Sequence, residues 1–314
     1  MSENQLHPRN RHQAHYDFVR LMQDDARLTE FVIRNPHGQH SIDFADAAAV
    51  KALNRALLLS DYGIQDWELP AQHLCPAIPG RADYLHYLAD LLSSCHLGRL
   101  PKAAGIRVLD IGTGASGVYP LLGATSYGWQ FVASDINQTS LDNVQHILQA
   151  NPKLAAQIEL RRQTTPTAIL QQIIGADDWF DLTMCNPPFH ASAAEAAAGS
   201  ARKWQQLGKN NALPAAGPRL NFGGQDAELW CPGGEVGFIQ TMMNESATLR
   251  GQCFWFTTLV SKASNLAVLK ATLKRLKVTE QREISMQQGQ KQSRFLAWTF
   301  LTPEQQKAWK KWRW

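Results

Sequence analysis

A chain of 314 residues can form one large or two modest domains with a real core, and its apolar and charged content is ordinary for a globular protein in water. No window approaches eighteen apolar residues, the start has no apolar stretch of the secretory kind, and Cys75, Cys95, Cys185, Cys231 and Cys253 are scattered without C-x-x-C or His pairing. A membrane span, a secretory leader and a bound metal are therefore not expected, and a reducing cytoplasm is. The net charge of +4 is uneven: from Lys262 onward twelve Lys and Arg face three Asp and Glu, leaving 19 against 24 upstream, which suits either a polyanionic partner or a solvated surface.

Residues 1 to about 100 read as helical and irregular. The segments "YDFVRLMQDDARLTEFV" and "DAAAVKALNRALLLSDYG" carry apolar residues at three- and four-residue spacing, and "SIDFAD" opens the second with a cap. "PAIPGR" reads as a rigid turn before an amphipathic helix built on Tyr84, Leu85, Leu88, Leu91 and Leu92.

From residue 106 the pattern changes. "IRVLDIG", "QFVASD", "QIELRR", "FDLTMCN", "CFWFTTLV" and "RFLAWTF" are short β-rich runs, with helical patterns such as "QTSLDNVQHILQAN" and "PTAILQQII" between several of them. Such alternation implies an α/β fold with a parallel, doubly wound sheet. The Ala- and Gly-rich stretch from about 190 to 234 is too long for an ordinary connection and is expected to be a substrate-facing loop. The Asp177, Asp178 and Asp181 carboxylates read as turn and surface, Cys185 as a core thiol and His190 as a satisfied or exposed histidine. "KAWKKWRW" at 307–314 interleaves Trp with Lys and Arg, which suits stacking on nucleic-acid bases as well as packing on the domain, with a slight preference for the former.

Two motifs carry chemistry. "VLDIGTGASGVYPLL" holds Gly112, Gly114 and Gly117 as G-x-G-x-x-G between a strand and a helix, and "FVASDIN" ends the next strand on Asp135, where a carboxylate can accept two ribose hydroxyls. Asp110, directly before the glycines, favours a cationic ligand over a pyrophosphate. The second motif is "NPPF", Asn186 to Phe189. A turn alone would explain Asn-Pro, but an amide oxygen, a carbonyl fixed by two prolines and an aromatic ring can also seat an exocyclic amine and stack on its base.

With these parts in this order, the chain resembles the class I S-adenosylmethionine-dependent methyltransferases that act on amino groups. Asn-Pro-Pro-aromatic also serves enzymes acting on DNA adenine or cytosine and on protein glutamine. "HPRNRH", "SIDFAD", "VKALNRALL", "LCPAIPGRADYLHYLADLL", "GTGASGVYPLLG", "CNPPF" and "GGE" narrow the resemblance to the bacterial 23S rRNA adenine-N6 methyltransferase family, the RlmF type, over residues 7 to 301. The resemblance implies a Rossmann-like, seven-stranded, mostly parallel sheet at 101–302, a helical RNA-binding module at 1–100 and an insertion at 190–234; the basic aromatic tail at 303–314 lies beyond it. It implies S-adenosylmethionine as cofactor, held by Arg81, Asp110, Gly112, Thr113, Gly114, Asp135, Ile136 and Thr164. Asn186, Pro187, Pro188 and Phe189 would carry catalysis. Arg9, Asn10, Arg11, His12, Lys203 and Lys262 would contact RNA, with adenine 1618 of 23S rRNA, free or in a large-subunit assembly precursor, as target. Two other readings stay open: a protein-glutamine N5-methyltransferase and an RNA-binding protein without catalysis. A hydride-transferring dehydrogenase lacks a clear partner residue.

Overall fold

The computed structural model of this chain describes residues 6–70, 73–102, 105–190, 192, 230–288 and 291–314. Asp25 divides the first expected helix into α1 (Phe18–Asp24) and a 3-10 turn, Ala26–Phe31. Its carboxylate accepts from Arg27 N at 3.2 Å and from Arg55 Nε at 2.6 Å, so the chain turns where that buried acid is met. A short hairpin follows, β1 (Val32–Arg34) against β2 (His40–Ile42), too brief to show periodicity in sequence. Helix α2 (Ala47–Tyr62) is capped by the Asp46 carboxylate on Ala48 N at 2.9 Å and ends on Gly63 at φ +68°. Helix α3 (Ile78–Cys95) begins inside the stretch expected to be a turn, because Pro79 occupies the first turn, where a missing N–H costs nothing.

Four parallel strands, β3 (Arg107–Ile111), β4 (Gln130–Asp135), β5 (Ile158–Arg162) and β6 (Phe180–Cys185), alternate with α4 (Val118–Tyr127), α5 (Gln138–Gln149) and the single turn α6 (Pro152–Ala155). After α7 (Gly234–Ser246) come β7 (Cys253–Leu259), α8 (Leu266–Arg275), the hairpin β8 (Glu280–Gln288) and β9 (Lys291–Thr299), and α9 (Pro303–Arg313). The seven-stranded sheet has the order β5-β4-β3-β6-β7-β9-β8, parallel except for β9, which runs antiparallel to both neighbours. The order reverses at β3, which pairs with β4 on one side and β6 on the other, and crevices at such a reversal take ligands.

Two expectations change. "PTAILQQII" forms no α-helix; 166–174 is a run of turns, with Gln172 at φ +67°. Strand β8 was not foreseen, because "EQREISMQQ" is polar and lies at the sheet edge, where one face meets water.

One apolar core joins Leu58, Trp67, Leu85, Leu88 and Leu92 to Phe131, Leu182, Trp255 and Trp309, so the helical N-terminal part and the sheet are packed without a break near residue 100. A second core lies between the sheet and Ile169, Ile173, Met242 and Leu269. The aromatic tail packs rather than projecting: Trp309 Nε1 and Trp314 Nε1 each donate to Asp181 Oδ1 at 2.7 Å, and Arg313 Nη2 donates to Asp181 Oδ2 at 3.0 Å. Asp181, expected on the surface, is fully buried on β6 beneath that tail. Asp178 is also inward, paired with Arg107 at 2.7 Å and Arg161 at 2.5 Å; these partners hold its carboxyl down at about 2 against the burial that would raise it. Among the described residues no helix is long and apolar enough to cross a membrane, and no group of three His, Cys, Asp or Glu is placed to hold a metal ion.

Candidate active site

The carboxyl ends of β3, β4 and β6 open on a cavity of about 640 Å³. Its floor is the glycine turn. Gly112, Gly114 and Gly117 all have positive φ, and a Cβ on Gly117 would meet Val144 at 3.0 Å. Gly112 N and Thr113 N both donate to Ser134 O at 2.9 Å, tying the turn to β4. Asp135 is held from two sides, with Oδ2 accepting from Gly114 N and Oδ1 from Asn137 N, both at 2.8 Å. Its carboxylate is therefore fixed at the cavity edge, and Ile136, 44% exposed, stands next to it as an apolar wall.

Asp110 is fully buried and does not line the cavity, and among the described residues neither its carboxylate oxygens nor Thr113 Oγ1 has a hydrogen-bond partner. Burial pushes the Asp110 carboxyl up to about 7, with the Asp135 charge adding to the rise and the Arg81 charge opposing it. Arg81 lines the cavity from α3, its Nη1 donating to Tyr119 OH at 2.8 Å. Tyr119 also lines the cavity and was not singled out from sequence, where one tyrosine in an apolar helix carries no signal. The 163–169 side differs from expectation: Thr164 is exposed and bonded to Gln172 at 3.4 Å, while Gln163, Pro166, Thr167, Ala168 and Ile169 face the cavity.

Strand β6 delivers Asn186. Beneath it, Thr257 Oγ1 donates to Thr183 O at 2.7 Å and Tyr84 OH lies 2.7 Å from Thr257 Oγ1, a buried ladder that fixes the strand end against β7 and α3. Asn186 and Pro188 line the cavity; Pro187 is buried and Phe189 half-buried beside it. Asn186 Oδ1 is buried with no partner. Cys185 also faces this space as a buried thiol, its pKa pushed well up by burial. The chain returns through a parallel bridge between His190 and Trp230, with Cys231 N donating to His190 O at 3.0 Å. Trp230, Cys231 and, from α7, Phe238 and Thr241 complete the wall. None of these four was singled out as a site residue, because each sits at or beyond the end of an insertion whose return point no periodicity marks.

The residues expected at RNA divide. Asn10 and His12 point inward: Asn10 Nδ2 donates to Pro79 O at 2.9 Å, and His12 Nε2 lies 3.0 Å from Tyr62 OH. Arg9 pairs with Asp90 at 2.7 Å while 41% exposed, and Arg11 bonds to the Asp61 carbonyl. The segment is thus docked on α3 and α2, with Arg9 at the surface. Lys262, just after β7, is exposed and has no ion-pair partner among the described residues; Lys203 lies outside them.

A glycine turn and a buttressed carboxylate at a sheet reversal, facing an unpartnered amide before Pro-Pro, agree with what comparison shows. A model of an RNA methyltransferase family matches residues 1–302. The chain is 56% identical over 313 residues to a Pseudomonas aeruginosa protein named ribosomal RNA large subunit methyltransferase F, covering 100% of this chain and 93% of that one. It superposes on the human METTL16 catalytic domain in complex with the MAT2A 3′UTR hairpin 1 with a TM-score of 0.78 and 30% identity, over 95% of this chain and 96% of that one. The N-terminal domain of human METTL16 in complex with SAH aligns with a TM-score of 0.74 and 27% identity, over 95% and 99%. The chain belongs to this family of RNA methyltransferases.

Proposed function

We propose that this chain transfers a methyl group from S-adenosylmethionine to the exocyclic N6 amine of an adenine in 23S rRNA, in the cytoplasm. The observation that carries it is Asn186 Oδ1, a buried acceptor in the cavity wall with no donor among the described residues, beside a Pro-Pro turn. Buried polar atoms are nearly always paired, so an orphan facing a cavity is matched to a ligand donor.

The residues present fit the cofactor. Asp135, oriented by Gly114 N and Asn137 N, would hold the ribose hydroxyls, Ile136 would cover the adenine, and Arg81 would meet the carboxylate. Asp110 and Thr113 leave unpaired buried oxygens under the turn that suit a cationic or donor-bearing ligand. S-adenosylmethionine, when bound, supplies an electrophilic methyl group on a sulfonium.

An adenine amine is a weak nucleophile because its lone pair is conjugated into the ring. Asn186 Oδ1 and the Pro187 carbonyl are assigned its two N–H groups. Accepting both favours tetrahedral nitrogen and frees the lone pair, so no strong base is needed before transfer and positioning carries the step. Phe189 is assigned to stack on the base, worth about 1–3 kcal/mol. The base has to leave its helix to reach this depth.

The test is methyl transfer from labelled cofactor to 23S rRNA isolated from a strain lacking the gene, read by nucleoside mass spectrometry, with Asn186→Ala as control. N6-methyladenosine formed only with Asn186 present is the expected result. Label found on protein instead of RNA would overturn the substrate. Label at another RNA position would overturn the chemistry assigned to Asn186.

A further inference from the structure

Helix α7 begins where the chain returns from the insertion and borders the cavity with Gly237, Phe238 and Thr241. Its two carboxylates, Glu235 and Glu245, are both buried, at 3% and 8% exposure, and neither meets a Lys or Arg among the described residues. A buried charge without a counter-ion is expensive unless N–H groups surround it. Here they do, at both ends of the helix. The Glu245 carboxylate accepts from three consecutive backbone N–H groups, Ile169 at 3.0 Å, Leu170 at 2.6 Å and Gln171 at 3.0 Å. Glu235 Oε1 accepts from Ser261 N and its Oε2 from Asn265 Nδ2, both at 2.6 Å.

The segment Glu245 grips is the one that forms turns in place of the expected helix. Three N–H groups converging on one anion make a nest, a geometry a continuous helix would close by its own hydrogen bonds. The same segment walls the cavity through Gln163 and Pro166 to Ile169, on the Asp135 and Ile136 side. Glu235 holds the loop after β7, which carries the exposed Lys262.

We infer that Glu245 is a positioning residue for cofactor binding: from α7 it sets the wall at 163–171, while Glu235, at the other end of the helix, positions the 261–265 segment toward the RNA. One helix adjoining the insertion thereby holds the cavity wall at one end and the loop after β7 at the other. This rests on reading the cavity as the S-adenosylmethionine site.

The test pairs Glu245→Gln with Glu235→Gln. Glutamine keeps the length but brings an NH2 toward donors. Calorimetry with S-adenosylmethionine should show the Glu245→Gln variant binding about tenfold more weakly, the size of one lost charge-assisted hydrogen bond, with KM for the cofactor rising in step and kcat within about twofold of native. Glu235→Gln should leave cofactor affinity unchanged and raise KM for RNA. A glutamate that only stabilises the fold would lower Tm of the cofactor-free protein and leave the affinity of its folded fraction intact; that result overturns the inference. If Glu245→Gln does not fold, Glu245→Asp retains the charge one methylene short, and native cofactor affinity in that variant overturns it equally. Failure of the unaltered protein to bind S-adenosylmethionine would instead refute the cofactor reading.

Discussion

Asp110 Oδ1 and Oδ2, Thr113 Oγ1, Asn186 Oδ1 and Trp230 Nε1 are all buried without a hydrogen-bond partner among the described residues. Each such group costs about 1–3 kcal/mol relative to a paired one, so Thr113, Asn186 and Trp230, which line the cavity, trade stability for readiness to bind. Asn186→Ala is therefore expected to leave Tm unchanged or slightly raised while kcat falls about 10²–10³-fold, the loss typical of one preorganised polar group at a reacting centre; thermal unfolding and single-turnover kinetics check both halves. Asp110 makes a pH prediction. Its folded-state pKa of about 7 lies above the ordinary 3.8, so the folded protein keeps a proton the unfolded chain releases. The stability this gives is complete below about pH 4 and is lost as pH rises through 7. Urea unfolding of the cofactor-free protein should show that decline, and Asp110→Asn should flatten it. A slope unchanged by the substitution would assign the decline to another group.

At the scale of elements, α9 is a clasp on β6. Its basic and aromatic residues were expected to favour nucleic acid slightly, but Trp309, Arg313 and Trp314 converge on Asp181, leaving Trp312 60% exposed. Asp181→Ala strands these donors and should cost about 3–5 kcal/mol, the range for breaking a buried charge pair, whereas Trp312→Ala, which loses edge contacts with Trp179 and Trp309, should cost about 0.5–1.5 kcal/mol. Denaturant midpoints distinguish the two. The clasp also shows where sequence reading stops. The strands β3, β4, β6 and β7 are legible because they are apolar runs between turn residues, and the glycine turn, Asp135 and Asn186 are legible because they sit at the ends of those strands. Asp181 looked like a surface acid because its partners, Arg107 N and the C-terminal tail, lie 74 to 133 positions away, distances no local pattern spans. The 166–174 segment looked helical because its Ile and Leu spacing is real; those side chains enter the second core, but the N–H groups of Ile169, Leu170 and Gln171 go to Glu245, and only Ile173 and Ile174 close back onto Leu170 O. Thr164 and Gln163 exchange roles for a similar reason, since one residue of register in a turn reverses which side chain faces the site.

Across the whole molecule, the helical N-terminal part and the sheet share one core. Leu85, Leu88 and Leu92 of α3 sit with Phe131 and Trp255, Trp67 Nε1 donates to Ser116 O at 2.9 Å, and Asn143 Nδ2 donates to Glu68 O at 2.9 Å. A single cooperative transition is expected on heating, with circular dichroism and tryptophan emission coincident, and a chain starting at residue 101 should not fold by itself. Two separated transitions would show that the helical part is an independent unit. The clasp has a last consequence, for how the protein is made. The Asp181 carboxylate on the central strand is not met by Trp309 until 128 further residues have been added. At about 5–20 residues per second, a nascent chain carries that strand for roughly 6–26 s with its carboxylate met by the Arg107 N–H but not yet by the tail. Ribosome-bound chains that stop before α9 should therefore remain protease-sensitive through β6, and a newly made molecule should gain its cofactor cavity late, near the end of its own synthesis.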